Sequence, residues 1–244
     1  MKIVKSTQTG LVRKNNQDNY LVKEDKDKEL VFLMVLDGVG GSNAGEVASA
    51  TVANMFSEKF DQIPKQKSLS AYKDWTIDAL RDINFELYRL SHQDNQFMGM
   101  STTCVCALFT KYGSFFINVG DSRIYMIDHR DELVQLSTDH SLVNDLLIKG
   151  TISIAEASTH PMRHAVTNAL GIYQQLRCDV QEILMPYKLI LLCTDGLSGY
   201  VEHDVIEEIL INQNKGLEDK KNLLNEVVNN SGAIDNFTFI LMED

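Results

Sequence analysis

The sequence contains few of the residues that interrupt or cross-link a chain. It has three prolines and four cysteines in 244 residues, and no Cys-x-x-Cys pair. Without such a pair, or a histidine pair beside a cysteine, the sequence does not indicate a zinc site. Three of the four cysteines stand in apolar, strand-like runs. That placement is typical of buried free thiols in a reducing compartment.

Long apolar runs and clustered positive charges are also missing. No apolar stretch approaches the roughly 18 residues of a membrane-spanning helix, and MKIVKSTQTG lacks the apolar segment of a signal peptide. The formal net charge is −11, and no run is rich in lysine or arginine. Clustered cations are needed to bind a phosphate backbone. We therefore expect a cytoplasmic, monomeric protein that binds neither membranes nor nucleic acids.

The residues that are present predict one globular domain over residues 1–244. The chain is 44% hydrophobic and 23% charged, without a repeat or a low-complexity linker. Apolar residues recur at helical spacing in residues 44–60 and 70–93. Residues 102–136 instead form four short β-rich runs with tight connections, which favours antiparallel strands. Helices grouped around such strands predict an α+β fold.

One local pattern recurs along the chain. VFLMVLDGVGG, residues 31–41, carries an apolar run up to Asp37 and then glycines, and LILLCTDGLSG repeats it around Asp195. Asp121 follows the apolar run FFINVG, Asp235 precedes FTFILM, and Asp18 precedes another short strand. A single Asp-Gly is most often a turn. Several aspartates at the ends of core strands instead predict a group of converging carboxylates.

Converging carboxylates need compensating cations, because otherwise some of them must bind protons. Oxygen ligands without histidine or cysteine suit Mg²⁺ or Mn²⁺, and a pair of such ions is the usual means of hydrolysing phosphate esters. Gly38 has no Cβ, so its carbonyl is able to approach an ion closely. Arg13, just before Asp18, is the best-placed side chain to hold a substrate phosphate.

Other catalytic motifs do not fit the sequence. DGVGG is not followed by the GK[ST] of a phosphate-binding loop, GMSTT lacks the flanks of a nucleophile elbow, and no H-E-x-x-H occurs. His140 and His160 are expected to order loops through hydrogen bonds rather than to bind a metal.

These motifs in their order identify the chain as similar to the metal-dependent serine/threonine protein phosphatases of the PP2C (PPM) family, in their compact bacterial form. The matching segments span residues 8–240. They are GLVRKNNQDNY, VLDGVGGSNAGEVAS, GMSTT, NVGDSRIY, STDHSLVNDLLIKGTISIAEASTHPMRHAVTNALG, LLCTDGLSGYV and GAIDNFTFI. The resemblance implies two central antiparallel sheets with helices on both sides and a metal cluster at one end. It also implies that residues 141–170 form a mobile flap, which affects substrate choice.

The resemblance also implies roles for individual residues. Asp37 would bridge two ions, Gly38 would be a carbonyl ligand, and Asp195 and Asp235 would complete one metal site. Asp18 would hold metal-bound water, and Asp121, with Asp195, would help to bind a third, weaker ion. Arg13 would bind the substrate phosphate.

Two positions depart from the family pattern. Gln17 stands where the family often has glutamate, so one negative charge is missing near the second ion. Val39 stands where many eukaryotic relatives have a histidine that is proposed to protonate the leaving group. Valine has no proton to donate, so a metal-bound water or another group must serve as the general acid.

The function expected from these residues is hydrolysis of phosphoserine and phosphothreonine in proteins by a metal-activated water, opposing a serine/threonine kinase. Two alternatives remain open at this level. A catalytically silent relative would bind phosphoproteins, for which the loss of charge at Gln17 is the only support. A phosphatase of small phosphate esters would share the same carboxylates.

Overall fold

The computed structural model describes residues 1–40, 44–93 and 97–243, and within these ranges the chain forms two sheets and seven helices. The strands are β1 (Lys2–Gln8), β2 (Asp18–Asp25), β3 (Leu30–Val39), β4 (Ser101–Thr102), β5 (Cys104–Thr110), β6 (Gly113–Val119), β7 (Arg123–Asp128), β8 (Leu133–Gln135), β9 (Asp179–Glu182), β10 (Tyr187–Cys193) and β11 (Phe237–Glu243). The helices are α1 (Ala44–Asp61), α2 (Leu69–Gln93), α3 (Leu142–Ile148), α4 (Ile154–Thr159), α5 (Asp195–Ser198), α6 (His203–Ile211) and α7 (Leu217–Asn230).

The two sheets are antiparallel, as the sequence predicted. One has the order β1-β11-β10-β7-β8, and the other has the order β2-β3-β5-β6-β9, with the short β4 paired to the end of β3. The first sheet therefore contains both the earliest and the latest strands of the chain, and β11 lies between β1 and β10.

The helices cover the outer faces of the sheets. Residues of β3, β5 and β6 that alternate with the inward-facing ones pack against α1 and α2, where Phe32 stacks on Phe56 with 4.3 Å between ring centroids. On the other side, α6 and α7 cover the sheet that contains β10 and β11. A third apolar cluster, which includes Leu33, Val105 and Ile240, fills the space between the sheets. The predicted α+β sandwich with helices on both sides is confirmed.

The structure differs from the sequence prediction in a few local elements. The apolar strand predicted for 30–36 continues through Asp37 and Gly38 to Val39 because Asp18 pairs with Asp37 and Gly38 N–H donates to the carbonyl of Gln17 at 3.1 Å. Neither β4 nor α5 was predicted, because two or four residues are too few to show a period. Residues 41–43 of the motif VLDGVGGSNAGEVAS lie outside the described residues.

The cysteines and the predicted loop histidines are placed as expected. Cys104, Cys106 and Cys193 are buried, and all four cysteines are free. His140 accepts a hydrogen bond from Gly120 N–H, and His160 accepts one from Met162 N–H, each at 3.1 Å. Among the described residues, no helix combines the length and apolar character that crossing a bilayer requires.

Candidate metal centre

The five aspartates singled out in the sequence come to one end of the sandwich. Asp18 opens β2 and is the direct cross-strand partner of Asp37 near the end of β3. Asp195 follows the end of β10, and Asp235 precedes the start of the neighbouring antiparallel β11. Asp121 lies in the link from β6 to β7, which carries the chain from one sheet to the other. Both sheets therefore contribute carboxylates to the same end.

Three of these carboxylates are strongly disturbed by their surroundings. Burial raises the pKa of Asp18 to about 8, and the charges of Asp195 and Asp235 add to the effect. Burial raises the pKa of Asp37 well above its ordinary value, and the charge of Asp18 is the next cause. Burial also raises the pKa of Asp121 to about 7, followed by the charge of Asp195. The aspartates therefore repel one another across this end, and the protein alone does not neutralise them.

The backbone around Asp37 is held from three sides. Thr103 Oγ1 accepts a hydrogen bond from Asp37 N–H at 3.0 Å, while Thr103 N–H and Thr102 Oγ1 each donate to the carbonyl of Asp37 at 2.9 Å. These threonines belong to the STT segment, whose hydroxyls the sequence analysis did not use. They fix the strand end so that the direction of the Asp37 carboxylate is set by the sheet.

Gly38 is required here for a reason that the sequence analysis did not identify. A Cβ on Gly38 would lie 2.1 Å from the carbonyl oxygen of Gly45 and 2.6 Å from that of Gln17. A Cβ on Gly45 would in turn lie 2.5 Å from the Gly38 carbonyl oxygen. The end of β3 and the start of α1 are therefore in backbone contact, which only two glycines allow.

Asp18 and Asp235 are supported by neighbours that the sequence analysis missed. Thr194 Oγ1 donates to Asp18 Oδ2 at 2.9 Å. Asn236 accepts from Gln17 N–H at 2.9 Å and donates to the carbonyls of Thr9 and Asn15 at 2.8 and 3.0 Å. Each of these residues is adjacent in sequence to a predicted aspartate, in the segments CTDG and IDN. Their position next to a predicted aspartate is the feature of the sequence from which Thr194 and Asn236 could have been identified.

Arg13 reaches the same end from the loop after β1. Its Nη2 lies 2.7 Å from Oδ2 of Asp235, and half of its side chain, 51%, stays exposed. Partial burial works against the charged form, yet the hydrogen bond and charge of Asp235 raise the pKa of Arg13. The guanidinium is thus anchored by one nitrogen beside the carboxylates and still faces solvent, which leaves donors available to an anion.

A histidine from the segment after α4 also contacts the site. His164 Nδ1 lies 3.5 Å from Asp195 Oδ2, and its ring stacks on Tyr200 with 5.9 Å between centroids and 16° between planes. The Asp195 contact raises the pKa of His164. The sequence analysis did not select this residue, because no metal-ligand spacing surrounds it.

The link that carries Asp121 is fixed by His140. Gly120 N–H donates to His140 Nδ1, so the proton of the neutral ring is on Nε2, which lies 3.2 Å from Asp179 Oδ2. His140 N–H also donates to the carbonyl of Gly120 at 2.9 Å. Next to this link, Arg123 makes a two-pronged ion pair with Asp139, with its shortest contact at 2.6 Å.

A cavity of about 650 Å³ opens beside Asp121 and Asp195. Residues 141–170, which include α3 and α4, line it with the apolar side chains Val143, Leu147, Ile154 and Ala157 and with polar side chains that include Arg163 and His164. The cavity thus combines charged and apolar side chains.

The donor set at this end fits hard divalent cations. Carboxylate oxygens predominate, Asp121 Oδ1 is buried without a hydrogen-bond partner among the described residues, and the aspartates raise one another's pKa. Within residues 1–40, 44–93 and 97–243, no three His, Cys, Asp or Glu side chains are already gathered into a coordination shell. Repulsion between unneutralised carboxylates opposes such a closed arrangement, and a bound cation would remove that repulsion.

Comparison with known proteins defines the class of the molecule. The model of the family described as protein phosphatase 2C matches residues 11–231, which include all of the site residues predicted from sequence except Asp235. The chain therefore belongs to the protein phosphatase 2C family.

The proteins to which the chain is similar include serine/threonine phosphatases of several bacteria. The serine/threonine phosphatase stp of Listeria innocua is 33% identical over 240 residues, covering 97% of this chain and 93% of that protein. The crystal structure of Stp1 from Staphylococcus aureus superposes with a TM-score of 0.92 at 33% identity, covering 100% of this chain and 94% of the other. The S. agalactiae serine/threonine phosphatase gives a TM-score of 0.90 at 30% identity, with 98% of both chains covered.

Proposed function

We propose that this protein hydrolyses phosphoserine and phosphothreonine in other proteins at a centre of two Mn²⁺ or Mg²⁺ ions, with a third, weaker ion. The observation that carries the proposal is the meeting of five aspartates from both sheets beside one half-exposed arginine. Similarity in sequence and fold to bacterial serine/threonine phosphatases also supports it. We place the activity in the cytoplasm and in one catalytic domain, residues 1–244.

Within this proposal the carboxylates hold the ions. Asp37 would serve both core ions, the carbonyl of Gly38 would be a further ligand, Asp195 and Asp235 would complete one site, and Asp18 would hold coordinated water. Asp121 would serve the third ion together with Asp195. When bound, such ions neutralise the carboxylates and lower the pKa of water so that it attacks phosphorus.

The chain's own residues bind and orient the substrate. Arg13 binds phosphate oxygens through the nitrogens that its contact with Asp235 leaves available. Its anchoring by Asp235 sets the distance between the phosphate and the carboxylates, which places the phosphorus before reaction begins. The segment 141–170 forms a flap that shapes the cavity beside Asp121 and so affects which proteins fit.

The leaving group must obtain its proton from a group other than residue 39. Val39 is 38% exposed at the end of β3 and carries only an alkyl side chain. The departing serine or threonine oxygen is therefore protonated by water or by another side chain of the site.

The test is metal-stimulated hydrolysis of a phosphothreonine peptide by the purified protein. We expect turnover with Mn²⁺ or Mg²⁺ and none with chelator, and a much lower kcat/KM on sugar phosphates than on the peptide. Peptide binding without turnover at any metal concentration would instead identify a silent phosphoprotein-binding protein. Preference for sugar phosphates would identify a phosphatase of small esters. A serine/threonine kinase of the same cell is the expected opposing partner, and dephosphorylation of its activation segment tests this.

A further inference from the structure

Three exposed apolar side chains lie beside the arginine of the site. Leu11 and Val12 precede Arg13 and are 72% and 63% exposed, and Ile234 precedes Asp235 and is 48% exposed. We call these three residues the apolar ledge. Large apolar side chains gathered on an exposed surface commonly mark a binding site.

The ledge is a single surface because two loop segments run side by side. Leu11 N–H donates to the carbonyl of Ala233 at 2.8 Å, and Arg13 pairs with Asp235 at 2.7 Å. Residues 11–13 therefore lie beside residues 233–235, in continuation of the antiparallel pair of β1 and β11, and the ledge residues stand next to the two contacts.

The two segments are also held rigidly. Gly10, at φ +77°, packs so closely that a Cβ would lie 2.3 Å from the carbonyl oxygen of Asp235. Ala233 is buried and adopts φ +38°, a left-handed conformation that is unfavourable for a non-glycine residue and persists only where surrounding contacts hold it. A surface on fixed backbone presents its side chains without ordering them first, which favours binding.

The position of the apolar ledge beside Arg13 determines which part of a substrate covers it. A phosphorylated side chain held by Arg13 brings its own neighbouring residues over Leu11, Val12 and Ile234. An extended chain advances about 3.3 Å per residue. Leu11 is two residues from Arg13, so the covering residue lies within about three positions of the phosphorylated one. The cations Arg13 and Lys14 in this otherwise acidic protein further favour the phosphorylated segment at this spot.

We propose that the apolar ledge selects substrates that carry a large aliphatic residue within three positions of the phosphoserine or phosphothreonine. This inference rests on the proposed function and assigns a sequence preference to it. The contact acts on kcat/KM through binding away from the reacting atoms.

The experiment compares phosphothreonine peptides that differ only in leucine or serine at each position from three before to three after the phosphothreonine. For wild type we expect leucine at one or more of these positions to raise kcat/KM by about three- to tenfold, the scale of partly covering an aliphatic side chain. In Leu11→Ser/Val12→Ser/Ile234→Ser the ratio should fall to about one. Leu184→Ser is the matched control, since Leu184 is 82% exposed on the β9–β10 loop, and it should keep the wild-type ratio.

The possible failures are distinct. If wild type hydrolyses p-nitrophenyl phosphate but treats leucine and serine peptides alike, the ledge assignment is wrong while the proposed function stands. Retention of the leucine preference in the triple variant also overturns the assignment. If wild type hydrolyses neither p-nitrophenyl phosphate nor any peptide with metal present, both the proposed function and the inference that rests on it fail. Should the triple variant unfold, Leu11→Ser alone answers the question, because Leu11 is largely exposed and removes little packing.

Discussion

Two aspartates of this protein end apolar strands at opposite ends of the sandwich, and their surroundings shift the carboxylate pKa in opposite directions. Asp128 ends β7 at the far end, where Arg130 and Glu132 N–H groups donate to its Oδ1 at 2.8 and 3.1 Å. Its Oδ2 accepts from Arg130 Nε at 3.0 Å. The hydrogen bond from Glu132 N–H and the contacts with Arg130 lower the pKa of Asp128. Asp37 near the end of β3 has its pKa raised by burial and by Asp18.

The difference shows that an aspartate after an apolar strand occurs in two kinds of environment, which differ in whether the protein itself compensates the carboxylate charge. Around Asp128 the turn itself supplies the hydrogen-bond donors, so the carboxylate charge is compensated within the protein. Around Asp37 the charges that raise its pKa are those of further carboxylates, so compensation must come from outside. The following variants test this contrast.

The largest expected effect is on turnover. Asn keeps the shape of Asp and removes the charge that holds an ion, so Asp195→Asn should lower kcat/KM with Mn²⁺ by about 10³-fold or more. Asp128→Asn should leave it within about twofold, because β7 places this residue at the far end. Rates on p-nitrophenyl phosphate across a Mn²⁺ titration measure both. Equal losses in the two variants would contradict the contrast.

The next effect concerns the two arginines that accompany these aspartates. Arg13→Ala should raise KM for a phosphopeptide about 10- to 100-fold, since hydrogen bonds to charged groups contribute about 1.5–3 kcal/mol. Arg130→Ala is the matched control, because Arg130 pairs with Asp128 and Glu132 at the far end. Its KM should not change. An unaltered KM in Arg13→Ala would remove the phosphate-binding role.

A smaller effect with opposite signs is expected on stability in chelator. Asp37→Asn removes one of several repelling charges and should raise Tm by about 2 °C or more. Asp128→Asn weakens three hydrogen bonds and should lower the free energy of unfolding by about 1–3 kcal/mol. Thermal unfolding by circular dichroism measures both. Destabilisation by Asp37→Asn in chelator would show that its charge is already compensated within the protein.

The smallest effect is the pH dependence of the metal-free protein. The folded protein holds protons on Asp18 and Asp121, with pKa values of about 8 and about 7, whereas the unfolded chain releases them near 3.8. The folded state therefore binds more protons between these values, so stability should fall as pH rises from about 5 to about 8.

Tm measured in chelator should fall across this range, and Asp18→Asn should flatten the slope. The lowered pKa of Asp128 stabilises the folded state above pH 3.8, and this contribution is lost only as the pH falls below that value. Asp128 therefore does not change the dependence of Tm on pH between about 5 and about 8. A Tm that rises with pH in chelator would contradict the assignment.

Much of this arrangement is predictable from sequence because strands with apolar runs end where their aspartates begin. The positions of β3, β10 and β11 place Asp37, Asp195 and Asp235 near one end once the strands are paired antiparallel. Pairing itself is a contact between distant segments, so the register of Asp18 against Asp37 appears only in the fold. The same holds for the contact of His164 with Asp195, since neither residue carries a local signal of the other.

Flanking residues separate Asp128 from Asp37 only in part. Both follow strongly apolar strands, but glycine follows Asp37 whereas His129 and Arg130 follow Asp128, and the donors folded around each carboxylate complete the distinction. The backbone contact of Gly38 with Gly45 is similar, because it depends on how α1 meets β3.

The position of β11 has a consequence for the folding of the protein during its synthesis. This strand lies between β1 and β10 and follows both of them in the chain, so the sheet cannot close around it until residues 237–243 have been translated. Until then β1 has no partner on that side, and Arg13 lacks the carboxylate that anchors it. A nascent chain therefore lacks the complete set of candidate site residues until Asp235 and β11 have been synthesised.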